Sequence, residues 1–527
     1  MKSDFHLPGR SPVVAGEGMA ATSHPLATLA AVETLRAGGT AADAAVTAVA
    51  TLSVLEPQMT GIGGDCFCLV AKPGAPLWGY NGSGRSGATA RAETLIAQGI
   101  REVDGDSVHS VTVPGAVEAW NVILRAHGRF GLDRALAPAI RYAETGAPVA
   151  PRVAWDWELA AHRLKQDAGT ARHFLLDGRP PAIGDKMKYP ALAATLRAIA
   201  AGGPKAFYEG APAADIVATL RPRGSFLTRE DFAAHRGEVV EPISSNYRGL
   251  DVVELPPNGQ GLAALVLLNV LEHFDMPALD PLGAERFHLQ LEAGRLAYAV
   301  RDTHIADPKS MRVSVAALLD KVFAGKLAAL IDRKKRVPLP PAPTPGSHTV
   351  LVTVVDRDRT AVTMINSLYS AFGVAIATEQ TGILLHNRGS CFVVDPAHPN
   401  TIDPGKRPMH TIIPALAMRD GRCDLAFGVM GGGYQSMGHA HFIVNLVDYG
   451  MDVQAAIEHP RVFFAGEVTE IERGISAEAV AGLKSRGHDV ALRLQPFGGG
   501  QAIRIDWQRG VLIGGSDHRK DGCAIGY

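Results

Sequence analysis

The run Ala41–Leu55 (AADAAVTAVATLSVL) sets the tightest limit on what this chain can fold into. Thr40 starts it as a helix, and apart from Asp43 near its start that helix is Ala, Val, Thr, Leu and Ser on every side. A helix without a polar face has no place on a surface and needs a layer on each side of it. With 527 residues, 46% of them apolar and 20% charged, the chain can supply those layers. A shorter helix precedes it, with Ser23 as its cap, Pro25 in its first turn, Arg36 near its end and Gly38-Gly39 as its stop. A glycine-rich turn, Thr60-Gly61-Ile62-Gly63-Gly64-Asp65, then feeds a strand over residues 66–71. It lacks the Walker lysine and the spacing of a dinucleotide fingerprint, so it reads as a place where backbones pack closely beside a site.

Residues 110–335 read as helices broken by prolines, at 113–115 and again at 256–261. The texture changes after 349. Residues 350–355 and 360–365 are β-branched and flank a charged turn at 356–359, as in a hairpin, and residues 425–430 form a strand ending in Gly431-Gly432-Gly433. Helices early and strands late predict an α+β chain whose sheets are sandwiched by helices.

A formal net charge of −1, with no long single-sign run, gives no footprint for nucleic acid or an anionic membrane. The partner expected is a small molecule. No apolar run is long enough to span a bilayer, and the first 25 residues lack the apolar core of a secretion signal, which predicts a cytoplasmic protein. Five scattered cysteines (Cys66, Cys68, Cys391, Cys423, Cys523) argue against a disulfide framework. Neither a metal nor a cofactor is predicted.

Thr349 stands where a proline-studded segment, residues 337–348, meets a strand-like run. A threonine hydroxyl is a weak nucleophile near neutrality, but a free α-amino group on the same residue, with a pKa of about 7.7–8.0, supplies a base. That arrangement requires the peptide bond between His348 and Thr349 to be cut. Attack of the Thr349 hydroxyl on the His348 carbonyl, followed by water, is the self-cleavage this predicts. The β-branch restricts the side chain to few rotamers and holds the hydroxyl in place.

The stretches Ser23-His24-Pro25-Leu26-Ala27, Gly38-Gly39-Thr40-Ala41-Ala42-Asp43 and Glu56-Pro57-Gln58-Met59-Thr60-Gly61-Ile62-Gly63-Gly64 closely resemble the N-terminal signature of the γ-glutamyltransferase family. Val113-Pro114-Gly115, Leu227-Thr228-Arg229-Glu230-Asp231, Thr381-Gly382-Ile383-Leu384-Leu385, Gly405-Lys406-Arg407-Pro408 and Gly431-Gly432 match the same family in the same order. The resemblance implies an N-terminal-nucleophile hydrolase with a four-layer αββα fold, made as one precursor. It implies a large subunit, 1–348, and a small subunit, 349–527, forming one structural unit as a heterodimer that can pair into a heterotetramer. It also implies Thr349 as nucleophile, Gly431 and Gly432 as the oxyanion-hole amides, Ser367 as a hydroxyl bonded near the nucleophile, and Arg85 as the grip on the substrate carboxylate.

The chain departs from the family's pattern in the substrate pocket. Where the family has an aspartate, a glutamine, two serines and an asparagine, this sequence has Cys391, Arg388, His410-Thr411 and Tyr369. A thiol cannot pair with an ammonium as a carboxylate does, and Arg388 would repel it. The pocket expected from Arg85, Arg388 and His410 is cationic and suited to a small carboxylate bearing an amide, similar to the oxamate amidohydrolase branch. The alternatives are γ-glutamyl transfer or glutathione hydrolysis, cephalosporin or glutaryl acylase activity in a roomier pocket, and an uncleaved, inactive homologue that serves as a binding protein.

Overall fold

The computed structural model describes residues 9–338 and 348–527. The segment 339–347, which carries most of the proline-rich stretch, lies outside the described residues. Two antiparallel seven-stranded sheets face each other. One runs, edge to edge, Cys523–Gly526, Met19–Thr22, His348–Val355, Ala361–Tyr369, Asp65–Ala71, Trp78–Gly82 and Glu238–Val240. The other runs Val13–Ala15, Val511–Ser516, Gly499–Asp506, Arg422–Met430, Ala415–Arg419, Leu250–Glu254 and Ile243–Tyr247.

The two-residue period of a strand sends alternate side chains to opposite faces, and here both faces are covered. Leu351, Val355, Ile365, Phe67 and Leu69 meet Leu416, Ala426, Met430 and Ile503 between the sheets. Their neighbours Val350, Val352, Val354 and Cys68 face the other way, onto the helix Ala41–Leu55. On the far side, Val252, Leu425, Phe427 and Val429 pack against the helices Gly261–Leu271, Ala284–His304 and Gln435–Val447. Helix, sheet, sheet and helix make the four layers that the resemblance implies.

All 15 residues of Ala41–Leu55 are buried. Its one charge is accounted for locally. The Asp43 carboxylate closes a capping box with Thr40 and accepts backbone N–H bonds from Arg129 and Phe130 at 2.9 and 3.0 Å. The preceding helix, Pro25–Arg36, is capped by His24, whose Nδ1 accepts from Leu26 N, and not by Ser23. The larger difference from the sequence reading lies in residues 238–254, where the sequence predicts helix. They form the strands Glu238–Val240, Ile243–Tyr247 and Leu250–Glu254, the last two joined through Arg248 and Gly249 at φ +48° and +84°. Two left-handed residues in sequence make the hairpin turn whose twist matches that of the strands it joins. No described helix is long and apolar enough to cross a membrane.

Candidate active site

Strand parity assembles the centre of the site. Thr349 and Ser367 share the inner face with Leu351 and Ile365, between the sheets. A register shift sits at this point, His348 pairing with Tyr369 but Val350 with Asn366, so Thr349 meets two residues of the neighbouring strand. The Thr349 hydroxyl lies 3.0 Å from the Ser367 hydroxyl, and Thr349 is fully buried. Ser367 Oγ in turn accepts the Tyr369 backbone N–H at 2.9 Å. Tyr369 leaves the strand at φ +77°, a left-handed conformation that costs a non-glycine residue roughly 1–3 kcal/mol.

The glycine turn before the strand Asp65–Ala71 explains itself at Gly64. A Cβ there would lie 2.3 Å from the Ser367 carbonyl oxygen, so only glycine lets the turn lie against the residue beside Thr349. Asp65 follows at once. Its Oδ1 accepts from the backbones of Gly84 and Gly115, at 3.0 and 3.2 Å, and its Oδ2 accepts from His410 Nε2 at 3.0 Å. Burial pushes the Asp65 carboxyl upward, but His386, the His410 bond and Arg388 outweigh it and hold the group well below the carboxylate range.

This geometry places His410 differently from a cationic substrate contact. Burial and the nearby Arg388 push its pKa down to about 3, against the raising effect of Asp65, so the ring is neutral. Its Nδ1 accepts from Ile412 N at 3.3 Å, and with Nε2 on Asp65 both nitrogens are occupied inside the protein. Arg388 is fully buried, donates to Thr411 Oγ1 at 2.7 Å and lies 4.3 Å from the Tyr369 ring. Its Nε and second terminal nitrogen meet no acceptor, an expensive state for a buried cation. Cys391 Sγ is 3.9 Å from the first terminal nitrogen.

The other sheet contributes the diglycine turn. Strand Arg422–Met430 ends at Gly431 and Gly432, with φ of +127° and +55°, conformations that turn the chain sharply and aim its amides. Gln260, fully buried and assigned no role from the sequence, ties this turn to the rest. Its Nε2 donates to the carbonyls of Thr411 and Gly432 at 2.8 and 2.9 Å, and its Oε1 accepts from Arg301 at 2.8 Å. The only sequence signal for Gln260 was its place in the proline-broken segment 256–261.

A cavity of about 250 Å³ lies next to this group, bordered by Tyr298, Arg301, Tyr369, Cys391, Thr411 and Gly433, while Thr349, Ser367, Gly431 and Gly432 are not among its lining residues. Arg85 borders none of it. Its guanidinium is held by Glu238 at 2.7 Å, Asp307 at 3.2 Å and the Gly405 carbonyl at 3.1 Å. A larger hollow of about 740 Å³, lined by Trp155, Arg473 and Lys520 among others, shares no residue with the Thr349 group. Among the described residues, His288, Glu292 and His488 bring possible metal-ligand atoms within 4.8 Å of one another. Hydrogen bonds account for all three. His288 bonds Asp332 O and His488, which bonds Thr469, while Glu292 bonds Arg295 and Val337 N.

Known proteins share this architecture over the whole chain. The solved structure described as cephalosporin acylase from Bacillus halodurans matches with a TM-score of 0.94 and 39% identity, covering 100% of this chain and 99% of that one. The Bacillus subtilis protein named glutathione hydrolase-like YwrD proenzyme is 38% identical over 98% of this chain and 99% of its own length. The oxamate amidohydrolase proenzyme of Klebsiella pneumoniae is 34% identical over 98% and 99%. The four layers are those of the N-terminal-nucleophile hydrolases. Residues 27–527 match the family described as Gamma-glutamyltranspeptidase, and the chain belongs to that family.

Proposed function

We propose that this chain is a precursor that cuts itself between His348 and Thr349 and then hydrolyses the amide of a small, carboxylate-bearing substrate resembling oxamate. The observation that carries the reading is the Thr349 hydroxyl, 3.0 Å from Ser367 on the inner face of one sheet, together with a left-handed diglycine turn at the end of Arg422–Met430 in the facing sheet. In the mature enzyme the freed Thr349 amine takes the hydroxyl proton and the oxygen attacks the amide carbon. The Gly431 and Gly432 amides receive the oxyanion, a contribution of roughly 3–4 kcal/mol per donor in comparable sites. Collapse returns the proton to the leaving nitrogen, ammonia departs, and water opens the threonine ester to release the acid and restore hydroxyl and amine. Ser367 orients the hydroxyl, while Tyr369, Thr411 and Arg388 shape the acyl side.

The cut leaves a large subunit, 1–348, and a small one, 349–527, in one unit, because His348–Val355 and Ala361–Tyr369 lie between Met19–Thr22 and Asp65–Ala71 in a single sheet. The names of the two curated relatives described above, both proenzymes, support a precursor. A cavity of about 250 Å³ favours a small acyl group over the side chain of a cephalosporin. Five free cysteines suit a reducing compartment, and we place the enzyme in the cytoplasm. The second reading, γ-glutamyl hydrolysis, is favoured by the glutathione hydrolase-like relative.

The test is ammonia release from oxamate beside cleavage of a γ-glutamyl anilide, with N-terminal sequencing of the smaller band. Wild type should release ammonia from oxamate and start its small subunit at Thr349, and Thr349→Ala should stay one band and turn over neither substrate. Two bands from Thr349→Ala, or a preference for the anilide, would refute the first reading.

A further inference from the structure

We infer that Arg301, and not Arg85, holds the free carboxylate of the substrate. The inference rests on Thr349 as nucleophile and adds the residue that selects an acid. Arg301 lies near the end of the helix Ala284–His304, is 2% exposed, and borders the 250 Å³ cavity together with Tyr369, Thr411 and Gly433. Gly433, which follows the diglycine turn, and Arg301 therefore border one small space.

Its surroundings fix the guanidinium without exhausting it. Nε donates to Asp302 Oδ1 at 2.7 Å, one terminal nitrogen donates to Gln260 Oε1 at 2.8 Å, and the group lies 4.2 Å from the Tyr298 ring. These two bonds use two of the five N–H groups an arginine carries. Burial disfavours its charge, but Asp302, itself 40% exposed, outweighs burial together with Tyr298, so a guanidinium held cationic stands at the cavity wall. A substrate carboxylate completes that site with the forked geometry arginine favours. Arg388, the other buried cation beside Tyr369, has Asp65 to offset it. Arg85 is already paired with two carboxylates and a carbonyl, which a substrate would have to displace.

The contact to Gln260 gives the arrangement a second consequence. The same glutamine holds the carbonyl of Gly432, so a carboxylate on Arg301 acts one side chain away from the oxyanion turn. The substrate class is then the monoamide of a short dicarboxylic acid, and its uncharged analogues lose the contact.

The experiment compares oxamate with oxamide, which replaces the carboxylate by a second amide, in wild type, Arg301→Gln, Arg301→Lys and Arg85→Gln. Oxalate binding to each mature protein is measured by calorimetry. Arg301→Gln should raise KM for oxamate on the order of 10²-fold, as expected when one member of a buried charged pair is truncated, and leave KM for oxamide unchanged. Arg301→Lys should recover part of the loss, oxalate binding should follow the same order, and Arg85→Gln should keep the preference for the acid. A preference abolished by Arg85→Gln and kept by both Arg301 variants overturns the inference. So does an equal fall in kcat on both substrates in both Arg301 variants, the mark of a residue that only supports Gln260. If wild type hydrolyses neither compound, the proposed reaction fails, while oxalate binding lost with Arg301 would still uphold the carboxylate site.

Discussion

Gln260→Leu removes one side chain and strands three partners. Leucine matches the volume of glutamine, so the change tests hydrogen bonds more than packing. The Thr411 and Gly432 carbonyls lose donors at 2.8 and 2.9 Å, and Arg301 loses an acceptor at 2.8 Å, all in a place where Gln260 itself is fully buried. Orphaned buried groups cost roughly 1–3 kcal/mol each, so after relaxation the loss of stability should be about 3–6 kcal/mol. Activity should fall further than stability implies. Gly432 O is the anchor of the turn whose amides receive the oxyanion, and losing one such donor costs on the order of 10²–10³ in kcat. The assay pairs urea unfolding with self-cleavage on a denaturing gel and kcat for ammonia release. Gln260→Glu is the control. It keeps, and charges, the acceptor for Arg301 while deleting both donors, so it should recover part of the stability and little of the activity. A Gln260→Leu protein that cleaves itself and turns over at the wild-type rate would refute the reasoning.

Acid should destabilise the protein well above the carboxylate range. Burial is the first cause that pushes the pKa values of His24 and His235 down to about 4 and those of His410, His459 and His488 to about 3, from an ordinary 6.5. The unfolded chain then binds protons near pH 6.5 that the folded one refuses. Stability is complete above that pH and falls, by up to about 1.4 kcal/mol per pH unit for each ring, down to about pH 4 for His24 and His235 and about pH 3 for the other three. A melting temperature that stays level between pH 7 and pH 5 would contradict this. Gly64→Ala puts a Cβ 2.3 Å from the Ser367 carbonyl, backbone against backbone with no side chain to yield, so it should block self-cleavage and lower the melting temperature sharply. Normal processing of that variant would show that the turn does not position Ser367.

Legibility in the sequence followed how far a signal's cause lay from the residue carrying it. The helix Ala41–Leu55 announced its burial because hydrophobicity on every side has one physical meaning, and its cap at Thr40 is local chemistry. The hairpin around residues 356–359 was legible for the same reason, with β-branched runs on each side of a charged turn. Residues 238–254 were not. Their strands are short edge and near-edge members of sheets completed by residues hundreds of positions away, and pairing with those neighbours outweighs weak local preference. The cap at His24 was missed because an imidazole nitrogen does there what a hydroxyl more often does.

The site divided along the same line. Thr349 was reachable from the proline-studded segment that meets its strand, while Ser367, Gly431 and Gly432 were reachable only through the resemblance to the family. His410 was misjudged because its sequence neighbours say nothing of the burial and of Arg388, which keep the ring neutral, or of Asp65, 345 residues away, which occupies its Nε2. The same carboxylate offsets Arg388. Asp65 opens a strand whose other members, from Cys66 to Ala71, are all apolar and buried, and a lone carboxylate in such company is itself a signal. Ionised in a dry interior, it must be paid for by several partners, and it collects two backbone amides and a histidine next to the threonine. Reading outward from that one charge leads to His410 and Arg388, through Thr411 to Gln260, and from Gln260 to Arg301 and the diglycine turn. The site is thus a connected set of buried polar groups, and its order belongs to the folded contacts and not to the sequence.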